Sequence, residues 1–571
     1  MVQLPASTDN FRQLREEGML YVDKTGWIRE LETLPKELLI TRPRRFGKTL
    51  WMSMLASFYD LHRKADEALF EGLRVYEDRA TWEAHAHKYP VLSLSFKAAE
   101  GSSWQETEAK LRRIVQEEVM RHLVQEGEAL SSVLRKELYN LQNIPLIEQG
   151  VLVRQLCHQL RDIHGRRVVV LIDEYDAPLI SSIQSGCFDQ ALRGMRSFLS
   201  DLMKGGDFRQ RGILTGVYHY TKDAMASSLN NVSSDNILDP RLSAACGFTP
   251  EEVKLLVEET GTDITVAKLQ EWYNGYRFRD SVIYNPYSII NCLEKKGRCN
   301  SYWMGSGSEG DLVAALRESS PDMQANLNAL VEGGSVRVPL TGVLQIGKDQ
   351  KFIGAATRWS LLVHSGYLTA TEVETGTGDA YSGVVLIPNQ EVRGQFAKLV
   401  QGEVSRTFGK DAQGLFVALT GGDEVALTRY IEELLSTSSF LDFSSAGKHY
   451  PEQAYHMLLL GYLWILHEQF DCRSNRESGD GRPDLLLLPK RNNQVGVVVE
   501  CKRAGPQDTG PLEDLALEAI AQVDSQRYKQ ELMTRPLTHI VLVGIAFDGK
   551  RCAVRCRRDP VEPPPPRSKS L

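Results

Sequence analysis

A chain of 571 residues is too long for one hydrophobic core and calls for about three folding units. Its hydrophobic fraction of 42% and charged fraction of 25% are globular averages. The net charge of −7 excludes an overall basic footprint, so any nucleic-acid surface must be local.

The first ten residues hold proline and polar groups rather than a signal-peptide core, and no window reaches eighteen uninterrupted apolar residues, so no membrane span is expected. In ELLITRPRRFGKTLWMSML, Leu38, Leu39 and Ile40 predict a short buried strand. Gly47, Lys48 and Thr49 follow, and then a helical pattern. That order suits a phosphate-binding loop. Backbone N–H groups and a helix N-terminus surround the phosphates, Lys48 reaches the β and γ oxygens, and Thr49 is a ligand to Mg²⁺. The full pattern asks for glycine five residues before Gly47, where this chain has Arg42. Arg44 and Arg45 are candidate phosphate contacts that offset the missing glycine through charge-assisted hydrogen bonds; the alternative is that both are simply solvated.

Further along, PVLSLSF alternates as a strand, and Leu111, Ile114, Val115 and Val119 have helical spacing. Val168 to Ile172 is a continuous apolar run, the pattern of a strand buried on both faces of a parallel sheet. It ends in Asp173 and Glu174, at the strand end where open α/β sheets bind ligands. Asp173 is the candidate Mg²⁺ holder, and Glu174 the candidate base for the water attacking the γ-phosphate. Thr215, after the apolar Gly212–Leu214 stretch, is a candidate sensor of the γ-phosphate or an ordinary strand end before a glycine turn. Asp176 is a candidate loop-holding residue. Arg193 and Arg196, on a helical stretch, are finger candidates if the protein forms a homo-oligomer.

Near the other end, GDGRPDLLLLPKRNNQVGVVVECKRA predicts two strands, Leu485–Leu488 and Val495–Val499, joined by a polar turn. Alternation sends Glu500 and Lys502 to the same face, where Asp484 can meet both across the hairpin. Asp484 and Glu500 as ligands to Mg²⁺, with Lys502 orienting or deprotonating the attacking water, make a candidate phosphodiesterase centre. The bland alternative is a surface hairpin with ordinary charges at its ends. Arg482, Lys490, Arg491, Lys502 and Arg503 supply the local positive charge for nucleic acid.

Taken together, RPRRFGKT, LIDEYDAPL, ILTGVYHY, CGFTPEEV, EWYNGYRF, YNPYSI, GRPDLLLL, VVVECKRA and AIAQVDSQRY resemble the proteins that join an AAA-ATPase-like P-loop domain to a C-terminal PD-(D/E)xK nuclease-superfamily domain. The resemblance runs from about residue 4 to about residue 557 and implies that Arg42 belongs to the family's own loop variant. It implies a catalytic or metal role for two further positions and draws attention to a third. Glu452, in the first turn of an apolar helix, is a metal-ligand candidate or merely an acid at a helix N-terminus. Gln522 is a candidate to assist the metal-bound water or the phosphate, and Tyr528 a packing residue.

The expected architecture is α/β throughout. Residues 1–295 form a P-loop NTPase domain with a parallel sheet and flanking helices, and 296–440 a mostly helical connecting region. Residues 441–557 form a restriction-endonuclease-like α/β domain, and 558–571 a disordered proline-rich tail. Nine scattered cysteines, an odd count, suggest reduced thiols in an intracellular compartment, cytoplasmic or nuclear. Cys552 and Cys556 do not have the spacing of a zinc pair. Three functions compete: a nuclease regulated by ATP, an NTPase signalling or defence switch whose C-terminal domain binds nucleic acid without cutting, and a scaffold that binds nucleotide for stability. Intact Lys48, Thr49, Asp173 and Glu174 argue against the scaffold, which has no use for a hydrolytic carboxylate.

Overall fold

Leu38, Leu39 and Ile40 lie in β1 (Glu37–Thr41), a strand of a parallel sheet in the computed structural model of the chain. The structure describes residues 3–561 apart from isolated positions and the stretches 221–231, 304–320, 347–351, 401–411, 438–454, 475–483, 491–494, 506–509 and most of 526–536. The chain divides into two units. One comprises Met1–Glu318 and Gly333–Phe396, the other Ser319–Glu332 and Ala397–Leu571.

In the first unit the sheet also contains β2 (Val91–Ser95), β3 (Val168–Asp173), β4 (Arg209–Gly216) and β5 (Ser233–Asp235). The order is β2-β3-β4-β1-β5, with every pairing parallel. All of β3 is buried, as its unbroken Val-Ile-Leu run requires of a strand covered on both faces. The helices Lys48–Tyr59, Trp104–Glu126, Leu146–His164 and Phe188–Met203 flank the sheet. Because β4 separates β1 from β3, the carboxyl ends of all three strands open side by side. That is where a parallel sheet collects polar side chains for a ligand.

A two-stranded hairpin, β6 (Tyr276–Phe278) with β7 (Ser281–Ile283), follows, and then the helix Pro286–Glu294. The region 296–440 contains the helices Pro321–Val331, Gly354–Ser365, Ala412–Gly421 and Glu424–Thr437. It also contains an antiparallel sheet of β8 (Val336–Thr341), β9 (Thr369–Thr375) and β10 (Ala380–Leu386), in the order β8-β10-β9, in a region expected to be mostly helical. The signal was present: two runs rich in β-branched residues, TATEVET and AYSGVVL, bracket a glycine-bearing turn with Gly378 at φ +66°. This region is shared between the two units rather than forming one connector.

The second unit is built on β11 (Phe470–Ser474), β12 (Leu485–Pro489), β13 (Val495–Arg503), β14 (His539–Asp548) and β15 (Arg551–Pro560). They pair in chain order, antiparallel except for β13 with β14. Strand alternation sorts the side chains. Leu485, Leu487, Val497, Val499 and Cys501 share a core with Leu459, Leu463 and Leu434, whereas Leu486, Leu488 and Val498 pack with Ile520 and Val523 of the helix Leu512–Ser525. β15 continues through Pro560, which pairs with His539. Residues 558–560, expected in the tail, are therefore strand.

Candidate functional site

Gly47 has φ +86° and caps the twelve-residue helix Lys48–Tyr59, a backbone angle that favours glycine and turns the chain from loop into helix. The Lys48 amine is buried and donates to the carbonyl oxygens of Arg42 and Pro43, each at 3.0 Å, so it spans the loop from inside. Burial lowers its pKa, opposed by the charges of Glu174, Asp173 and Asp176. Thr49 Oγ1 donates to Asp173 Oδ2 at 2.7 Å, and Thr215 Oγ1 donates to Asp173 Oδ1 at 2.5 Å. The strand order explains this bracket, because Thr215 lies near the end of β4, just before Gly216, between the strands that lead to Thr49 and Asp173.

Glu174 sits at φ +48°, and Arg45 at φ +68°. Non-glycine residues in this region cost about 1–3 kcal/mol each and persist where the surroundings dictate them. Two of them flank the Lys48 loop. Burial raises the Glu174 pKa, with Lys48 pulling the other way. Asp176 is buried and accepts the backbone N–H groups of Val217 and Tyr218, both at 2.8 Å. Burial pushes its carboxyl up to about 6. A Cβ on Gly216 would lie 2.5 Å from Asp176 Oδ1, so this contact needs glycine at the end of β4. Asp176 thus holds the chain just after β4 against the loop after β3.

Arg42 is fully buried and points away from the phosphate loop. It donates to Asp235 Oδ1 at 2.6 Å and to the carbonyls of Thr41, Asp235 and Leu242, each at 2.9 Å. The residue in the first glycine position of the loop is therefore a clamp between β1 and β5. Arg44 is half-buried and Arg45 exposed, the latter stacked 4.9 Å above the Tyr287 ring. Trp303 Nε1 donates to the Arg44 carbonyl at 3.2 Å. A cavity of about 490 Å³ combines Gly47, Lys48 and Glu174 with apolar Leu20, Val22 and Ile290. The walls from the N-terminal segment and from the helix Pro286–Glu294 went unread in the sequence, because nothing in their local pattern differs from ordinary core. The helix N-terminus and lysine suit phosphate, and the Thr49 hydroxyl with the Asp173 carboxylate is an all-oxygen set suited to Mg²⁺.

In the second unit, the β12–β13 register pairs Leu485 with Val499 and so continues to Asp484 opposite Glu500. The Asp484 N–H donates to Glu500 Oε2 at 3.3 Å, and the Cys501 N–H donates to Asp484 Oδ2 at 2.8 Å. Gln522 Nε2 donates to Glu500 Oε1 at 2.6 Å. Asp484, Glu500 and Gln522 thus converge on the face that carries the helix Leu512–Ser525. Lys502 shares that face and lies 3.5 Å from Glu518. Cys501 alternates into the core. Two carboxylates with hard oxygens fit a divalent cation such as Mg²⁺.

Gly544 makes this convergence possible. It pairs with Glu500 across β13 and β14, and a Cβ there would lie 2.0 Å from the Ala516 carbonyl. Only glycine lets the helix approach closely enough for Gln522 to reach Glu500. A glycine within an apolar strand was the available signal. Glu452, Arg482, Arg491 and Tyr528 lie outside the described residues.

Among the described residues no helix is long and apolar enough to cross a membrane, and all nine cysteines are free thiols. A family described as predicted AAA-ATPase matches residues 5–226, and the PD-(D/E)XK nuclease superfamily matches residues 450–556. An uncharacterized protein in the vnfD 5′ region of Azotobacter chroococcum mcd 1 is 30% identical over 374 residues, 63% of this chain and 67% of that protein. Among solved structures, the Aeropyrum pernix ORC2 protein in ADPNP–ADP complexes aligns over 71% of this chain and 96% of its own, at 10% identity and a TM-score of 0.23, too low to carry an argument.

Proposed function

Since this chain belongs to the AAA-ATPase-like proteins with a C-terminal PD-(D/E)XK nuclease-superfamily domain, we propose that it binds and hydrolyses ATP and thereby regulates a Mg²⁺-dependent phosphodiesterase centre acting on nucleic acid. The observation that carries this reading is the meeting of Asp484, Glu500 and Gln522 on one sheet face, in a chain that also brings Gly47, Lys48, Thr49 and Asp173 together. At the nucleotide site Gly47 and the first turn of its helix would receive the phosphates, and Lys48, now on the carbonyls of Arg42 and Pro43, would bind phosphate oxygens. Thr49 and Asp173 would hold Mg²⁺, which neutralises charge on the β and γ oxygens. Thr215 reports on the same point through its bond to Asp173. Glu174, its proton affinity raised by burial, orients and accepts a proton from the attacking water.

At the second centre Asp484 and Glu500 would hold Mg²⁺, which polarises the scissile phosphate and acidifies bound water. Gln522 fixes the Glu500 carboxylate, and Lys502 is placed to orient the attacking water once it leaves Glu518. A second reading, an NTPase switch whose C-terminal domain binds nucleic acid without cutting, is favoured by that same Lys502–Glu518 pair, which gives the lysine a partner other than water. DNA and RNA are both candidate substrates, and self-assembly through Arg193 and Arg196, exposed on the helix Phe188–Met203, is part of the proposal.

The deciding experiment is cleavage of a mixed DNA and RNA panel with Mg²⁺ or Mn²⁺, with and without ATP, in wild type, Glu500→Ala and Lys48→Ala. Cleavage lost in Glu500→Ala and altered in Lys48→Ala is the expected result. ATP hydrolysis without any cutting would replace it with the switch reading.

A further inference from the structure

We propose that His62, Glu126 and His164 form a structural binding site for a divalent cation of the Zn²⁺ class, separate from both centres described above. His62 Nε2 lies 2.6 Å from Glu126 Oε1, and His164 Nε2 lies 2.9 Å from the same oxygen. One ligand atom from each residue falls within 4.8 Å of the other two, and the imidazole rings meet edge to face with centroids 5.4 Å apart. Two imidazole nitrogens and one carboxylate oxygen are a donor set for Zn²⁺ and its transition-metal neighbours rather than for Mg²⁺, which prefers oxygen throughout. A slight opening of these contacts admits an ion at about 2.0–2.2 Å from each donor.

The three residues come from separate segments. His62 lies at the start of the 3₁₀ segment Leu61–Phe70, Glu126 is the last residue of the helix Trp104–Glu126, and His164 the last of the helix Leu146–His164. Two helix C-termini, each carrying partial negative charge, therefore end on the cluster and favour a cation there. Neighbouring charges do not compete for it. Arg63 and Arg121 are paired with Asp60, and Arg121 also binds Glu118, which in turn approaches His122 at 3.5 Å. Glu126 is buried, and a buried carboxylate needs compensating positive charge, which a cation held between it and the two imidazoles supplies. His62 is exposed, giving the ion an entry path and leaving a coordination position for water. An ion held here ties three segments that flank the β2–β3 side of the nucleotide-binding sheet, and its binding energy becomes folding energy.

The test is calorimetric titration of the chelator-treated full-length chain with Zn²⁺, with Co²⁺ absorption as a second probe. Wild type is compared with His62→Ala, His164→Ala, Glu126→Gln and the control Asp484→Ala. The expected result is one Zn²⁺ equivalent in wild type and Asp484→Ala that is lost in both histidine variants. In Glu126→Gln, which keeps the shape and hydrogen-bonding capacity of the side chain, affinity falls by about tenfold or more. Zn²⁺ should also raise the unfolding midpoint of wild type but not of His62→Ala, a change at an exposed residue that leaves folding intact. Equal stoichiometry and affinity in wild type and both histidine variants would overturn the proposal.

Discussion

The two candidate centres are assembled in opposite ways. The phosphate-loop site draws Lys48, Asp173 and Thr215 from three strand ends and is braced by Arg42 on Asp235, so its parts span most of a parallel sheet. The nuclease-like centre draws Asp484, Glu500 and Gln522 from one hairpin and the helix that covers it. A site knit across a whole sheet couples its chemistry to the stability of the unit. A site built by strand alternation and one close helix contact can lose its chemistry while its sheet survives.

The largest effect should be on turnover alone. Glu174→Gln is expected to slow ATP hydrolysis by about 10²–10⁴-fold while preserving nucleotide binding, because it removes a proton acceptor without removing a phosphate contact. Single-turnover hydrolysis and equilibrium binding, measured together, check it; unchanged turnover would place the base elsewhere.

Arg42→Gly probes the sheet-wide bracing directly. It restores the usual glycine of a phosphate loop yet leaves Asp235 buried without its guanidinium partner, so a loss of about 3–5 kcal/mol in stability is expected. Denaturant unfolding measures it. A stable variant with tighter ATP binding would mean that the loop consensus outweighs the clamp.

Titration probes the first unit, which holds both Glu391 and Asp176. Glu391 is buried, accepts the Ser288 hydroxyl and the N–H groups of Tyr302 and Trp303, and is pushed up to about 7 by burial. Its folded pKa exceeds its unfolded value, so the native state retains a proton that the unfolded chain releases. Its contribution is complete below the ordinary glutamate pKa and is lost as pH rises through about 7, a fall of up to about 3 kcal/mol. Asp176, raised to about 6, acts in the same direction. Unfolding followed from pH 5 to 8 should show the decline, flattened in Glu391→Gln; an identical slope in that variant would remove Glu391 as its source.

The smallest effect belongs to the local centre. Gln522→Ala should weaken metal binding or cleavage by about 10–100-fold with little change in stability, since it removes the donor that orients Glu500 and nothing beneath it. Mn²⁺ affinity and the unfolding midpoint, read side by side, test this. A large stability loss would show that this centre, too, is tied to its unit.

Much of both centres was legible because short-range order encodes it. An apolar run ending in Asp173 and Glu174, a Gly-Lys-Thr before a helix, and Glu500 with Lys502 two apart are fixed by chain periodicity alone, whatever packs around them. The strands of region 296–440 are short and lie between helices, so their local pattern stands out less than the helical spacing around them. What only the tertiary structure decided are the long-range partners. Arg42 meets Asp235, Thr215 meets Asp173, Gly544 lets Gln522 reach Glu500, and His62, Glu126 and His164 come together. Those pairings depend on strand order and helix approach. Such properties arise from burying many side chains at once, and no local spacing of residues specifies them.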